Sequence, residues 1–340
     1  MAKAVKLADI AKQLNTSTVT VSKALSGQKG VSDELRLKIK QLAQEMGYES
    51  LSVKKNHNDR KSYNIGVIIA DRFIDQYESF YWTMYQEIAK EAVLADSFSL
   101  LEIISEEDEE EAVIPKLVKE KKTDGLLVIG VMKDQYLKML SEKVNIPIVF
   151  VDFYDRKIKG DYIVTDNYYG AYMLTNYLLD MGHTDIAYVG TLLYTSSITD
   201  RCFGFIRAMM ERGIEVTRDH IIDDRDIISG IRDDNFEFKF PEKMPTAFVC
   251  NCDLAADAIV VELEKRGYKV PEDISVVGFD NYIFNQKSNV NLTTYEVDIK
   301  HMAYLAINIL SKKIGSISYR GGYVVVPGKL IIKNSVIRNI

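Results

Sequence analysis

The chain has few of the residues that build metal sites or disulfide frameworks. It is 340 residues long and contains 3 cysteines and 4 histidines. Cys202, Cys250 and Cys252 form no CxxC pair, and no histidine lies close to them in the sequence. Zinc sites and disulfide scaffolds depend on such spacings, so we predict small buried thiols and no metal.

Long apolar runs and phosphate-binding motifs are also absent. No window approaches the about 18 consecutive apolar residues of a membrane span, and lysines interrupt the first segment, MAKAVKLADIAKQL. We therefore expect a cytoplasmic protein without a secretory signal or membrane contact. Neither G-x-G-x-x-G nor G-x-x-x-x-G-K-[ST] follows a predicted strand, which argues against a nucleotide cofactor or NTPase activity. We expect no cofactor.

Charge is distributed unevenly behind the net value of −6. Residues 1–61 carry 12 Lys and Arg against 6 Asp and Glu, so this segment is basic and the remainder of the chain is acidic. A basic segment on an acidic body is typical of a small nucleic-acid-binding domain. A solubilising imbalance of surface charge is the alternative explanation.

The segment NTSTVTVSKAL, residues 15–25, alternates polar and apolar residues as a β-strand does. It follows a helical face formed by Leu7, Ile10 and Leu14, and a second helical pattern follows the loop SGQKG. An isolated strand here would leave its backbone groups unpaired, so we predict a helix capped by Ser17. Such a pair of helices forms a helix-turn-helix unit, whose second helix enters the DNA major groove. A three-helix bundle with a merely polar outer helix is the alternative.

The stretch VKLADIAKQLNTSTVTVSKALSGQKGVSDELRLKIKQLAQEMGY resembles the DNA-binding domain of the lactose-repressor (LacI/GalR) family of transcriptional regulators. The resemblance implies that the start of the second helix reads bases and that its neighbours bind phosphates or cap the helix. Lys23 stands where the family usually has arginine, and lysine lacks the bidentate fork that reads guanine. The DNA-binding residues implied are Ser17, Thr18, Val19, Thr20, Ser22, Lys23 and, in the connector, Lys54 and Lys55.

From Tyr63 onward, runs rich in Val and Ile alternate with helix-length segments. The runs are NIGVIIA, SFSLLEI, TDGLLVIG, IPIVFVD, YIVTD, HTDIAYVG, TAFVCN and ISVVGFD. This alternation predicts buried parallel strands in a doubly wound α/β architecture. The blocks DYIVTDNYYGAYMLTNYLLDMGHTDIAYVG and PEDISVVGFDN are similar to the same family, so the resemblance covers nearly the whole chain. It implies two Rossmann-like subdomains of the periplasmic-binding-protein type.

These patterns predict three parts of the chain. A small all-α helix-turn-helix domain covers residues 1–49, and a hinge linker covers residues 50–62. An effector-binding and dimerisation domain of two interleaved α/β subdomains covers residues 63–340. No leucine heptads follow the final block VPGKLIIKNSVIRNI, which favours a homodimer over a tetramer.

Polar residues follow several of the predicted strands. Open α/β sheets bind ligands at the carboxyl ends of their strands, and carboxylates, amides and aromatic rings together suit a sugar. Each single aspartate could instead cap a helix or pair with a basic loop residue. The resemblance adds Ser197, Arg201 and Arg225, the last at a position that is often aromatic. The predicted effector-binding residues are Asp71, Phe80, Tyr81, Asp152, Ser197, Arg201, Arg225, Asn251, Asp253 and Asp280.

The sequence therefore predicts a dimeric transcriptional repressor that binds double-stranded operator DNA and responds to a sugar or sugar derivative. A purine, a sugar phosphate or a phosphoprotein corepressor is the alternative signal, and Arg225 would suit an anion. From a different class, the body could be a sugar-binding or sugar-metabolising protein. No nucleophile and base pair or acid/base constellation stands out, so we expect no enzyme.

Overall fold

A computed structural model describes residues 7–25, 30–46, 62–74, 79–226, 236–319 and 321–339. The chain divides into two compact units, Met1–Ser62 and Tyr63–Ile340. None of the helices within the described ranges combines the length and the apolar composition that crossing a bilayer requires.

The first unit contains three helices, α1 (Leu7–Gln13), α2 (Thr18–Leu25) and α3 (Asp33–Glu45). The turn after α1 includes Asn15 at a φ of 46°. Ser17 begins α2, because its Oγ accepts a hydrogen bond from the backbone N–H of Thr20 at 3.0 Å. The alternating segment is therefore a helix, as its context predicted.

A small apolar core holds the three helices together. Its buried members are Ile10, Ala11, Val21, Ala24, Ile39 and Ala43. Val21 and Ala24 supply the buried face of α2, and the Arg36 guanidinium of α3 donates to the backbone carbonyl of Ala24 at 3.3 Å. The exposed face of α2 is consequently fixed in direction by the packing of its opposite face.

Twelve strands and eight helices are described in the second unit. The strands are β1 (Asn64–Ala70), β2 (Phe98–Ile104), β3 (Gly125–Ile129), β4 (Ile148–Val151), β5 (Asp161–Thr165), β6 (Ile186–Val189), β7 (Ile221–Ile222), β8 (Ala247–Cys250), β9 (Ser275–Val277), β10 (Thr294–Glu296), β11 (Tyr323–Val326) and β12 (Lys329–Ile331). The helices are α4 (Phe80–Leu94), α5 (Glu106–Glu110), α6 (Lys116–Lys119), α7 (Asp134–Lys143), α8 (Asn167–Asp180), α9 (Ser196–Glu211), α10 (Asp253–Lys265) and α11 (Ile299–Ile314).

The strands form two parallel sheets, each the centre of one subdomain. The first subdomain has six strands in the order β11–β5–β4–β3–β1–β2, and the second has four in the order β7–β6–β8–β9. β3, β5, β6 and β8 are buried along their whole length. Strands covered on both faces are mostly apolar, which explains the nearly continuous Val and Ile runs of the sequence.

The chain passes three times between the two subdomains. The first passage joins β5 to α8, and the second runs from β9 through β10 to α11. The third leaves β11 and continues into β12, which pairs antiparallel with β10. The last residues then return to the second subdomain, where the backbone N–H of Val276 donates to the Ser335 carbonyl at 2.9 Å.

Helices α8 and α9 pack very closely in the second subdomain. A Cβ placed on Gly204 of α9 would lie 2.1 Å from the backbone oxygen of Tyr168 on α8. Only glycine allows the two backbones to approach this far. The close contact fixes the start of α9, which carries Arg201.

All eight predicted runs contain a strand, and β7, β10, β11 and β12 lie outside these runs. β7 has two residues and β10 three, too few to show a pattern, and β11 is partly exposed. The acidic helix α5 is not wholly solvated, because Glu109 is fully buried and forms an ion pair with Arg72.

Candidate functional site

Helix α2 presents a row of small polar and aliphatic side chains to solvent. Thr18, Val19, Ser22 and Lys23 are exposed, and Val19 retains 61% of its accessible surface. The Ser17 and Thr20 hydroxyls lie 2.9 Å apart at the start of the helix. Hydroxyls, a methyl-bearing side chain and a lysine match the thymine methyls, base edges and phosphates of a major groove. Lys54 and Lys55 lie outside the described residues.

Arg201 of α9 is the centre of a buried polar cluster in the second unit. Its Nε donates to Asn167 Oδ1 at 2.8 Å, and Nη1 donates to the backbone oxygen of Asn251. Nη2 lies 3.1 Å from Asp280 Oδ1, and the guanidinium carbon lies 3.7 Å from the centre of the Phe279 ring. One cationic group thus ties α8 to the ends of β8 and β9, the strands at the ligand-binding edge of the sheet.

Two of the acidic residues beside Arg201 stand on strained backbone. Asp152 has a φ of 68° and Asp280 a φ of 99°, both in the left-handed region. Asp280 belongs to the second subdomain, whereas Asp152 directly follows β4 of the first. Such conformations cost about 1–3 kcal/mol each and cluster at binding sites. Their occurrence at two aspartates beside the same arginine makes this cluster the candidate ligand site.

Asp152 is buried with an incomplete set of hydrogen bonds. Oδ2 accepts from the Tyr81 hydroxyl at 2.9 Å, whereas the buried Oδ1 has no hydrogen-bond partner. Burial and the Asp280 carboxylate raise the pKa of Asp152 to about 7, against the opposing effect of Arg201. Burial also raises the pKa of Asp280, and Arg201 again opposes the rise.

Aromatic rings line the cluster on the side of the first subdomain. Tyr81 makes edge contacts with Phe73 and Phe80, at centroid distances of 5.0 and 5.5 Å. Phe80 contacts Tyr282 of the second subdomain at 6.0 Å. The predicted pair Phe80 and Tyr81 therefore adjoins Asp152, and the ring contact bridges the two subdomains.

A second contact between the subdomains involves Tyr154 and Asp200. The Tyr154 hydroxyl, after β4, lies 3.0 and 3.1 Å from the two carboxylate oxygens of Asp200 on α9. Burial raises the pKa of Asp200, while Tyr154 and Arg201 lower it. Three carboxylates, those of Asp152, Asp200 and Asp280, therefore surround Arg201.

Arg225 is engaged by its neighbour in the sequence. Its Nη2 lies 2.7 Å from Asp224 Oδ2, and the same oxygen accepts from Asn251 Nδ2 at 2.9 Å. Burial alone would raise the pKa of Asp224, but Arg225, the Thr191 backbone and Asn251 together lower it to about 2. Asn251 thus connects the Arg201 cluster to the Asp224 and Arg225 pair.

Asp253 has a structural position at the first residue of α10. Its Oδ2 accepts from the backbone N–H of Tyr282 at 2.9 Å, so it holds the loop that carries Phe279 and Asp280. Burial and the Asp280 charge raise the pKa of Asp253 to about 8. A Cβ on Gly278 would lie 2.0 Å from Asp253 Oδ1, which explains the glycine.

The remaining predicted residues lie at the margin of the cluster. Ser197 is half-buried in the first turn of α9, with its hydroxyl 2.9 Å from that of Thr195. Asp71 is exposed at the start of a short 3₁₀ helix. The structure thus brings together Tyr81, Asp152, Arg201, Asn251 and Asp280, while Asp71 stays on the surface.

Sequence reasoning missed five residues of the cluster. They are Asn167, Tyr154, Asp200, Asp224 and Phe279. Phe279 directly adjoins the predicted Asp280, and Asn167 lies two residues after the end of β5, so the strand-end rule could have found both. Asp224 follows the two-residue strand β7, and no pattern in the sequence indicates that strand.

Two family models match the chain. The model described as bacterial regulatory proteins, lacI family, matches residues 6–50, and the periplasmic binding protein-like domain matches residues 175–336. Residues 6–50 thus form a domain of the lacI family, and residues 175–336 form a periplasmic binding protein-like domain. This combination confirms the predicted fold and the predicted resemblance, and it is that of a DNA-binding transcriptional regulator with a ligand-binding domain.

Relatives and solved structures span almost the full length of the chain. The HTH-type transcriptional repressor PurR of Glaesserella parasuis serovar 5 (strain SH0165) is 26% identical over 336 residues, 96% of this chain and 97% of the relative. The transcriptional regulator CelR–cellobiose complex has a TM-score of 0.67 at 18% identity, covering 97% and 99% of the two chains. The Lac repressor dimer bound to operator and the anti-inducer ONPF has a TM-score of 0.64 at 18% identity, covering 98% and 100%.

Proposed function

We propose that the repressor is controlled by a small sugar or sugar derivative bound between its two subdomains, around Arg201. The observation that carries this proposal is the position of Arg201. It contacts Asn167, Asn251 and Asp280 of the second subdomain and faces Asp152 of the first. A ligand that forms hydrogen bonds to both Asp152 and Arg201 would change the strength of the interaction between the two subdomains.

The side chains around Arg201 suit a hydroxylated ring. The unpartnered Asp152 Oδ1 accepts hydrogen bonds, and the rings of Phe80, Tyr81 and Tyr282 offer faces for C–H groups. One structural neighbour is a complex with cellobiose and another holds the anti-inducer ONPF. Both facts support a sugar-like ligand.

Control of transcription requires that the ligand prefer one conformation of the repressor. A ligand with equal affinity for the DNA-binding and the released forms would shift nothing, however tightly it bound. The Tyr154–Asp200 and Phe80–Tyr282 contacts join the subdomains in the present form. In our proposal, a ligand bound beside these contacts changes their contribution to the free energy of the present form. That change couples ligand binding to DNA binding.

We also propose a homodimer that recognises two half-sites of double-stranded operator DNA. β2 is an edge strand of the six-stranded sheet, and it exposes Phe98 and Leu100. Val93 and Leu94 at the end of α4 are 67% and 71% exposed. An apolar edge of this kind is suited to a second copy, and paired helix-turn-helix units read two half-sites.

The proposed role includes no catalysis and places the protein in the bacterial cytoplasm, where its DNA is. The carboxylates around Arg201 serve as hydrogen-bond acceptors in this proposal. The direct check is to incubate the protein with each bound sugar and analyse the sugar for turnover. Chemical conversion would revive the enzyme alternative.

The main experiment first selects a DNA duplex from a random-sequence pool with the purified full-length protein. Binding of that duplex is then measured while sugars, sugar phosphates and purines are added. We expect one sugar class to change DNA affinity at least about tenfold, a coupling of about 1.4 kcal/mol. Intrinsic fluorescence of Trp82, next to Tyr81 on α4, reports ligand binding separately.

A matched pair of tyrosine variants locates the ligand. Tyr81→Phe removes the hydroxyl that bonds to Asp152 and keeps the ring, so we expect weaker ligand binding. Tyr136 lies on α7, and its buried hydroxyl has no hydrogen-bond partner within the described part of the chain. Tyr136→Phe removes that hydroxyl, and we expect no change in ligand binding. Equal ligand affinities in the two variants would place the effector elsewhere.

A further inference from the structure

The polar cluster carries more acidic than basic groups. Three carboxylates, those of Asp152, Asp200 and Asp280, surround the single guanidinium of Arg201. Asp280 takes the direct ion pair at 3.1 Å. Asp200 accepts its hydrogen bond from the neutral Tyr154 hydroxyl, and Asp152 accepts from the neutral Tyr81 hydroxyl.

The second arginine of this region does not offset the excess. The Arg225 guanidinium is paired with Asp224 through Nε at 3.1 Å and Nη2 at 2.7 Å. Asn251 and the Thr191 backbone complete the hydrogen bonds of Asp224. This pair is therefore balanced within itself and provides no spare positive charge for an anionic ligand.

Asp152 is one of two buried carboxylates among the described residues whose Oδ1 has no hydrogen-bond partner; the other, Asp253, packs its Oδ1 against Gly278. Asp152 itself is only 7% exposed. A buried carboxylate oxygen without a donor is costly, and a ligand that donates a hydrogen bond to it would complete its bonding. The raised pKa of Asp152, about 7, has the same cause, namely burial with too little positive charge nearby.

We propose that the effector is a hydroxylated ring that carries one protonated amine, and that the ammonium group binds at Asp152 Oδ1. The inference rests on the proposed effector role of the cluster and specifies its ligand class. An ammonium group supplies both the missing donor and the missing charge, and charge-assisted hydrogen bonds are stronger than neutral ones. The rings of Tyr81 and Phe80 beside Asp152 add cation–π attraction.

The same charges disfavour the other ligand classes. A sugar phosphate or another anion would meet the uncompensated carboxylates of Asp152 and Asp200 and two arginines that are already paired. A neutral sugar would supply a donor to Oδ1 but would leave the excess negative charge. The amine therefore distinguishes the proposed effector from its neutral and phosphorylated counterparts.

The test is calorimetric titration of the full-length protein at pH 7. The probes are glucosamine, galactosamine and mannosamine. Each is compared with its N-acetyl form, with its parent hexose and with the 6-phosphate of that hexose. N-acetylation removes the charge at one position of an otherwise equal ring. We expect at least one amine to bind about tenfold or more tightly than all three of its counterparts.

Two variants assign the preference to Asp152. Asp152→Asn keeps the shape and removes the charge, so we expect the advantage of the amine over its N-acetyl form to fall to less than about twofold. Asp134→Asn, on the surface of α7, is the matched control and should keep the full advantage. Thermal melting establishes that both variants are folded.

The outcomes separate this inference from the proposed function. No binding of any of the three amines at millimolar concentration overturns the inference, as does equal or tighter binding of a neutral or phosphorylated counterpart. Retention of the amine preference in Asp152→Asn also overturns it. If a counterpart binds and changes DNA affinity, the repressor role stands and only the ligand class is wrong. If no ligand of any class changes DNA affinity, the proposed effector control itself fails.

Discussion

The Arg201 guanidinium lies 3.1 Å from the Asp280 carboxylate, and the two side chains are only 7% and 15% exposed. Breaking such a buried pair by removing one partner costs about 3–5 kcal/mol, since the other charge is left uncompensated. We expect Arg201→Gln to lower the free energy of unfolding by about 3 kcal/mol, and Asp280→Asn to lower it by less, because Asp152 and Asp200 still interact with Arg201. The double variant should lose less than the sum of the two, because it leaves no single charge from this pair.

Urea denaturation of the four proteins gives the coupling energy directly. Losses below about 0.5 kcal/mol in either single variant, or strict additivity in the double variant, would contradict a coupled buried pair. Arg207→Gln serves as a control, because its pair with Glu211 is about half exposed and should contribute less than about 1 kcal/mol.

Asp152 makes stability depend on pH in a defined direction. Its pKa is raised to about 7 in the folded protein, whereas an unfolded aspartate titrates near about 3.9. The folded state therefore holds a proton that the unfolded state has lost. This contribution favours folding fully below about pH 4 and is lost as the pH rises through about 7.

Asp152→Asn cannot lose that proton. We expect the variant to match the wild type near pH 4 and to exceed its unfolding free energy by more than about 1 kcal/mol at pH 8. Chemical denaturation at pH 4, 6 and 8 measures the difference. A constant difference across this range would contradict the elevated pKa.

Val19 gives a prediction for DNA recognition. The side chain is 61% exposed on α2, so Val19→Ala should leave the melting temperature within about 2 °C of wild type. We expect weaker binding of the selected operator by about 1 kcal/mol, because a methyl contact to thymine is lost.

Replacing thymine by uracil in the operator identifies that contact. Wild-type affinity should fall when the contacted thymine loses its methyl group, and Val19→Ala should be insensitive to the change. Leu37→Ala, a 69% exposed residue of α3, is the matched control. An equal response of wild type and Val19→Ala to uracil would place the contact at another residue.

Gly204 allows α8 and α9 to approach each other. Because an added Cβ would lie 2.1 Å from the Tyr168 backbone oxygen, Gly204→Ala must push the helices apart. We expect a loss of about 1–3 kcal/mol in the free energy of unfolding. Phe203→Ala, one residue earlier and 54% exposed, should change it by less than about 1 kcal/mol. Similar losses in the two variants would refute a special role for the glycine.

The edge strand β2 gives a prediction for assembly. Phe98 is 64% exposed there, and Phe98→Lys should convert the proposed dimer to a monomer at micromolar concentration. Sedimentation measures the mass, and operator affinity should fall because a single helix-turn-helix unit reads one half-site. Ile317→Lys, 59% exposed after α11, is the control. A Phe98→Lys protein that remains dimeric would locate the interface elsewhere.

Local patterns predicted the fold well where they were long enough to read. The run NIGVIIA coincides with β1, since every residue of that strand after Asn64 is buried and must be apolar or small. The helix-turn-helix domain was harder to predict, because the alternation of Thr18 to Val21 suggested a strand. We predicted a helix because no second strand was available to pair with it, and Ser17 caps that helix as expected.

The cluster was less accessible to sequence reasoning. Strand ends indicated Asp152 and Asp280, because the carboxyl edge of a parallel sheet is a property of topology. Which charges pair there depends on side-chain geometry that no spacing reveals. Arg225 suggested an anionic ligand when read alone, yet its guanidinium lies on the adjacent Asp224. The role of each predicted residue stays a prediction until ligand and DNA binding are measured.

The three passages of chain between the subdomains have a consequence for how the molecule can be divided. Neither subdomain is one uninterrupted stretch of sequence, because β11 and α11 return to the first and the residues around Ser335 return to the second. Cutting the chain at any single passage leaves the two halves linked by the other two. A gene fragment that stops at Asp180 or begins at Ile186 therefore encodes neither subdomain in full. To remove or exchange one subdomain without the other, the gene would have to be cut at several positions.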